Sequence, residues 1–218
     1  MCKRIFDVVF AFIGLVGTLP LQLLVAALIL IAEGRPILYR GKRIGRFGAP
    51  FYVLKFRSMV TNAEALGSGA IPDNDPRVTR VGRILRITKL DELPQFINIL
   101  KGEMSFVGPR PDLWKYARTF SGDLRRILEL RPGLTDWATI ADINEGLLLR
   151  GAMDPDEAYE RRIRPVKLEL QLKYVSEHSL ATDLRILAYT ALRLLAPRWI
   201  PSEVGDYCAS LRVPEEGA

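Results

Sequence analysis

Histidine is almost absent: His178 stands alone, and the two cysteines, Cys2 and Cys208, lie near opposite ends of 218 residues. One histidine cannot build a histidine metal centre, and it makes a Ser-His triad an unpromising reading. Two distant cysteines exclude a disulfide framework and a cysteine zinc cluster, and they suit a reducing compartment. A metal ion, if used, should therefore be a hard one held by oxygens, such as Mg²⁺. Internal repeats and low-complexity tracts are also missing. Acidic residues are the smaller party, 25 against 31 basic, a net charge of +6 that suits anionic partners: phosphates, nucleic acid or a membrane face. With 49% hydrophobic residues the chain is no disordered segment.

The apolar residues concentrate between Val8 and Ala32, where no charge occurs and only Thr18 and Gln22 are clearly polar. About 20 apolar residues span a bilayer. The run is too long for a signal peptide core, and no small-x-small cleavage site follows it. Lys3 and Arg4 precede it, and Arg35, Arg40, Lys42, Arg43 and Arg46 follow it. Such cations favour the cytoplasmic side, and here both flanks carry them. Pro20, mid-run, removes a backbone donor and kinks a helix. Charge and proline leave two readings open, a kinked spanning helix and a helix that enters and returns by one face.

From Gly34 to Ala63 seven basic residues occur and no acidic one. Pro36–Arg40 and Pro50–Arg57 are β-prone and flank Gly45-Arg46-Phe47-Gly48, which predicts a hairpin. Lys55 and Arg57, two apart on a strand, share a face and could hold a di-anion, or simply be solvated. Residues 61–75, with Gly67, Ser68, Gly69 and Pro72, read as a mobile loop. Arg77, Arg80, Arg83, Arg86 and Lys89 recur every third residue around an apolar stripe, an amphipathic basic helix facing headgroups or phosphates. Arg77 is expected to face headgroups, so that its substitution matters little.

Asp91-Glu92 follows, with Pro94 suited to a first helical turn. A helix starting near Asp91 would keep that carboxylate ionised and available as a nucleophile. The plain alternative is a capping aspartate. Gly108-Pro109-Arg110-Pro111 then fixes an arginine on a rigid turn, able to fork onto a phosphate.

The blocks Lys3-Arg4-x-Phe6-Asp7, Lys55-Phe56-Arg57-Ser58-Met59, Leu90-Asp91-Glu92-Leu93-Pro94-Gln95, Ser105-x-Val107-Gly108-Pro109-Arg110-Pro111 and Arg131-Pro132-Gly133-Leu134-Thr135 together resemble the bacterial sugar transferases, the monotopic polyprenyl-phosphate phosphoglycosyl transferases, in their minimal catalytic form. The resemblance implies that Asp91 attacks the β-phosphate of a UDP-sugar, releasing UMP, and that undecaprenyl phosphate then takes the phosphosugar. It implies Asp91 and Glu92 as the catalytic pair and as Mg²⁺ ligands, and Lys55, Arg57, Arg86, Arg110 and Gln95 as phosphate- or substrate-binding. It places Pro20 at the break of a re-entrant membrane helix. The expected architecture is mixed α+β and helix-dominated: a re-entrant anchor over 1–34, a cytoplasmic catalytic domain with a small β-hairpin and interfacial amphipathic helices over 35–200, and a loosely ordered tail over 201–218. The location implied is the cytoplasmic face of the bacterial inner membrane, against anionic headgroups. Nucleic acid is not an expected partner, and a homo-oligomer is left open. A non-catalytic membrane-docked adaptor is the alternative. Two departures from the family pattern stand out: Leu19 where serine often precedes the proline, and Asp136 where glycine is common, a position that could affect sugar or nucleotide contacts. Residues 156–175 read as a charged helical stretch interrupted at Pro165. The apolar stretch 179–196 suits either membrane contact or core packing.

Overall fold

Helices dominate the computed structural model, which describes residues 2–212 apart from 64, 67, 68, 73, 142–144, 197 and 198. Gly67 and Ser68 of the expected loop and residues 213–218 of the expected tail thus lie outside the described residues. The chain divides into two units, one of Met1–Gly67, Asp75–Phe106 and Pro111–Thr119, the other of Ser68–Asn74, Val107–Arg110 and Phe120–Ala218.

In the first unit the apolar run forms two helices, α1 (Cys2–Gly17) and α2 (Leu19–Glu33), bent by 58° at their junction. Among the described residues no single helix is long and apolar enough to cross a membrane; this bent pair passes only together. Pro20 sits in the first turn of α2, where its missing donor is tolerated. At the break the Thr18 hydroxyl donates to the Gly14 carbonyl (2.6 Å), and Gln22 Nε2 donates to Thr18 Oγ1 (2.9 Å). Thr18 thus places a hydroxyl at the break, one residue before Leu19.

The predicted hairpin is present: β1 (Leu38–Ile44) pairs antiparallel with β2 (Pro50–Phe56), from Leu38 opposite Phe56 to Ile44 opposite Pro50. The basic helix is shorter than its spacing suggested: α3 runs Arg80–Ile87, capped by Thr79, whose Oγ1 accepts from the Gly82 amide. Gly82 lies against the Ser58 backbone so closely that a Cβ would collide with the Ser58 carbonyl. α4 (Gln95–Lys101) packs Ile99 with Ala11, Phe51, Val53 and Met104 in one core cluster. Val25, Ile29, Phe56 and Leu85 make a second.

Arg77 corrects an expectation. It precedes α3 and is buried, with Nη2 2.7 Å from Asp75 Oδ2, Nε 3.0 Å from Asp75 Oδ1, and Nη1 donating to the Ala63 carbonyl. It holds the chain between β2 and α3 and faces no headgroup.

The chain then passes β3 (Ser105–Val107) and the short α5 (Trp114–Ala117). The second unit holds β4 (Gly133–Thr135), α6 (Trp137–Ala141), α7 (Glu145–Leu148), α8 (Pro155–Ala158), α9 (Arg164–Glu177), α10 (Leu180–Leu195) and α11 (Ser202–Arg212). Between α8 and α9 a π turn, Tyr159–Ile163, takes up the backbone ahead of Pro165, so the expected interruption is a change of winding. Trp137, Ile140, Leu170, Tyr174 and Ile186 are fully buried here. α10 buries Asp183, Ile186 and Arg193 and leaves Leu184, Leu192 and Leu195 exposed, so core packing holds for one face only. Of the polar tail, expected to be loose, the described part forms α11, seated through buried Val204 and Cys208.

Candidate active site

Lys89 takes a left-handed backbone conformation (φ 59°), which ends the run of α3 and turns the chain into a 3-10 turn at Leu90–Glu92. Leu90 and Leu93 pack against the core cluster around Val25 and Phe56, and this pins the turn. Asp91, between them, is only 5% exposed. A helix was expected to begin at this pair. It begins four residues later, at Gln95, so the helix-end field is not what sets the charge of Asp91. Burial pushes the Asp91 carboxyl up; the Lys55 charge pulls it down, the Glu92 charge pushes it up, and Arg86 and Lys89 pull it down, with the net result raised. Lys55 reaches this turn from β2, its Nζ 2.6 Å from Glu92 Oε1 and 4.0 Å from Asp91 Oδ2. The unit thus brings together a buried carboxylate, a second carboxylate beside it, and an ammonium shared between them.

The other predicted residues divide. Arg86 lies in α3, near enough for its charge to act on both Asp91 and Asp75. Gln95, the first residue of α4, is buried, and its Nε2 has no hydrogen-bond partner among the described residues. Arg57 does not share the role of Lys55. Its guanidinium is buried and Nη2 donates to the carbonyls of Glu33 (2.8 Å) and Gly34 (3.1 Å), gripping the end of α2. Arg110 belongs to the second unit. There its backbone amide donates to Asp136 Oδ2 (3.0 Å), its Nη1 to the Leu134 carbonyl (2.9 Å), and its carbonyl accepts from Gln171 (3.1 Å).

Three anchoring residues went unassigned in the sequence. Arg4 donates to the carbonyls of Ile99 (2.7 Å) and Leu100 (3.0 Å) at the end of α4, where a cation suits the helix dipole. Asp7, buried in α1, accepts from Ser105 Oγ and the Phe106 amide. Asn98, fully buried, accepts from the Leu54 amide and donates to the Tyr52 carbonyl, completing the outer edge of β2. The available signal was polarity at odds with position: Asp7 inside an apolar helix and Asn98 inside an apolar stripe.

The model of the bacterial sugar transferase family matches residues 1–197. The chain belongs to the bacterial sugar transferase family. Within this family it is 35% identical over 198 residues to a UDP-N-acetylgalactosamine-undecaprenyl-phosphate N-acetylgalactosaminephosphotransferase of Aeromonas hydrophila, an alignment covering 88% of this chain and 43% of that protein. It is 36% identical over 200 residues to a UDP-glucose:undecaprenyl-phosphate glucose-1-phosphate transferase of Escherichia coli, covering 88% of this chain and 40% of that one. The uncharacterized sugar transferase EpsL of Bacillus subtilis is 35% identical over 198 residues, covering 91% and 89%. The chain thus spans less than half the length of the first two relatives. Lys55, Asp91, Glu92 and Arg110 all lie inside the span that the bacterial sugar transferase model matches.

Proposed function

We propose that the protein transfers a sugar-1-phosphate from a UDP-sugar to undecaprenyl phosphate in two steps, a first membrane step of bacterial glycoconjugate assembly. An Asp91 oxygen attacks the β-phosphorus; the bond from that phosphorus to the bridging oxygen breaks, and UMP leaves carrying that oxygen. A phosphate oxygen of the lipid then attacks the same phosphorus, and the Asp91 carboxylate is the leaving group. The observation that carries this proposal is the buried Asp91 beside Glu92 and Lys55. A carboxylate held away from water is poorly solvated, hence a better nucleophile than an exposed one. Lys55, beside the carboxylate pair, and Arg86, whose charge acts on Asp91, are proposed to balance the charge of the diphosphate, and Arg110 is proposed as a further phosphate-holding cation on its rigid turn. Gln95 offers a buried amide donor one turn after Asp91.

Mg²⁺ is proposed as the metal. Among the described residues no group of three or more His, Cys, Asp or Glu is placed to hold a metal ion. Asp91 and Glu92 offer an all-oxygen pair, which fits an ion that takes one or two carboxylates and fills its shell with water and substrate phosphates. Bound there, it would screen the carboxylates from the anionic substrate.

The helix pair α1–α2 is proposed to enter the inner membrane and return to its cytoplasmic face. Both ends are tied to one unit: Arg4 and Asp7 hold the start of α1, and Arg57 holds the end of α2. Phe12, Ile13, Leu23, Leu24 and Ile31 are exposed along the pair, and at the break the polar side chains of Thr18 and Gln22 are hydrogen-bonded, which suits an apolar surrounding. On α3, Ile84 and Ile87 stay exposed among arginines, which suits anionic headgroups. Replacing Pro20 by leucine should favour a straight span and carry the N-terminus across. In a background lacking Cys2 and Cys208, a cysteine at position 3 should label from the cytoplasm with Pro20 present and from the far side without it. Labelling from the far side with Pro20 present would establish an ordinary transmembrane anchor.

The catalytic proposal is tested by incubating the protein with Mg²⁺ and UDP-glucose, UDP-galactose, UDP-N-acetylglucosamine or a UDP-linked diacetamido sugar. One of them should release UMP, and without lipid acceptor a phosphosugar adduct should appear on Asp91 by mass spectrometry. Turnover only with both substrates present and no adduct would replace the two-step scheme by direct transfer. UMP release from none would favour the adaptor reading.

A further inference from the structure

Asp136 is completely buried and stands where glycine is common in the family this sequence resembles. The position was read as one that could affect sugar or nucleotide contacts; its carboxylate is turned inward onto Thr139 and the Arg110 amide. Its Oδ1 accepts from the Thr139 amide (2.7 Å) and the Thr139 hydroxyl (2.8 Å), and its Oδ2 accepts from the Arg110 amide (3.0 Å). The rest of the Arg110 turn is held with equal care. The Gly108 amide donates to the Thr135 carbonyl (3.1 Å), and the Gly133 amide to the Pro109 carbonyl (3.0 Å). The two backbones run so close at Gly108 and Gly133 that a Cβ on either would collide with the other strand. Gln171 binds the Arg110 carbonyl and Leu134 receives the guanidinium.

We propose that Asp136 is a positioning residue that fixes Arg110. This rests on the phosphate-holding role proposed above for Arg110. Capping α6 through Thr139 uses one carboxylate oxygen, which is what an ordinary helix cap needs. The second oxygen reaches 26 residues back to the one amide that sets the direction of the arginine. Pro109 and Pro111 supply no amide, so between them the Arg110 N–H is the only backbone donor by which that turn can be held. A carboxyl presents two oxygens, one for each of the two partners. Asparagine cannot replace both oxygens: with its carbonyl on Thr139, its amide group meets the Arg110 N–H donor to donor.

The test compares Asp136→Asn, Asp136→Gly, Arg110→Ala and the Arg110→Ala/Asp136→Asn double variant of the full chain, assayed for UMP release with Mg²⁺, undecaprenyl phosphate and the UDP-sugar of the panel that turns over fastest. A thermal unfolding midpoint is recorded for each. Misplacing a charge by about 1 Å costs on the order of 10²-fold in rate. Asp136→Asn should therefore lower kcat about 10- to 10²-fold with KM for the UDP-sugar little changed, and should cost nothing further once Arg110 is alanine. Asp136→Asn at wild-type kcat overturns the proposal while leaving the role of Arg110 intact, as does a double variant in which the losses multiply. A loss that disappears when the assay is run well below the unfolding midpoint is stability alone and also overturns it. Arg110→Ala at wild-type activity removes the phosphate-holding role itself, and the positioning role falls with it.

Discussion

Replacing Asp91 by asparagine should abolish UMP release while making the fold more stable. The activity loss should be on the order of 10⁴-fold or more, the scale on which removing a covalent nucleophile acts. The gain in stability follows from the same burial. In the unfolded chain the carboxyl titrates near its ordinary value, about 3.9; in the fold it is held higher, first by burial. A group whose folded value is raised in this way opposes folding once it is ionised. Below the unfolded value both states are neutral and the residue costs nothing. As pH rises toward and past the raised folded value, the wild-type protein loses stability that the asparagine variant keeps. Lys55 keeps a partner in the variant, since Glu92 Oε1 lies 2.6 Å from its Nζ. Unfolding midpoints measured in EDTA should therefore separate between pH 4 and pH 8 with Asp91→Asn the higher, and should converge near pH 3 (roughly one unit below the ordinary carboxylate value). An asparagine variant that is both inactive and less stable at pH 8 would make Asp91 a structural residue.

The two properties come from different levels of the sequence. The hairpin β1–β2 was legible because its strands and its glycine turn are local signals. The break at Pro20 was legible because proline removes a donor wherever it falls. The Asp91-Glu92 pair was legible as a motif, but not its environment: the 3-10 turn depends on a left-handed Lys89 and on Leu90 and Leu93 finding a core built from α2, β2 and α3. No short window of sequence contains that. The cations were read alike and behave differently. Lys55 meets the Asp91 and Glu92 carboxylates, Arg57 grips the end of a helix 23 residues earlier, and Arg4 grips one 95 residues later. Charge spacing records how many cations an element carries; which of them faces solvent, phosphate or a stray carbonyl is decided by tertiary packing. The partner of Asp136 was hidden for the same reason, because Arg110 lies 26 residues away in the chain.

Arg77 is the case in which a local signal was present and outweighed by a periodic one. It continued the three-residue rhythm of α3, but Asp75 stood two residues before it, and that pairing decides its place. Burial pushes the Asp75 carboxyl up, yet the hydrogen bonds and charge of Arg77 hold it below the ordinary carboxylate range, with Arg86 adding to the effect. Removing one partner of a buried pair leaves the other charge uncompensated, at a cost of about 3–5 kcal/mol. Arg77→Ala should lower the unfolding midpoint by about 6–20 °C for a chain of this size. Replacing the pair together, Asp75→Asn with Arg77→Met, should recover much of that loss, since no buried charge then remains. The pH dependence has a definite sign: a depressed carboxyl contributes stability above its unfolded value and loses it as pH falls through the folded one. The gap between wild type and Arg77→Ala should thus be full at pH 7 and narrow below about pH 3.9. Equal midpoints at pH 7 would return Arg77 to the exposed face of the basic helix.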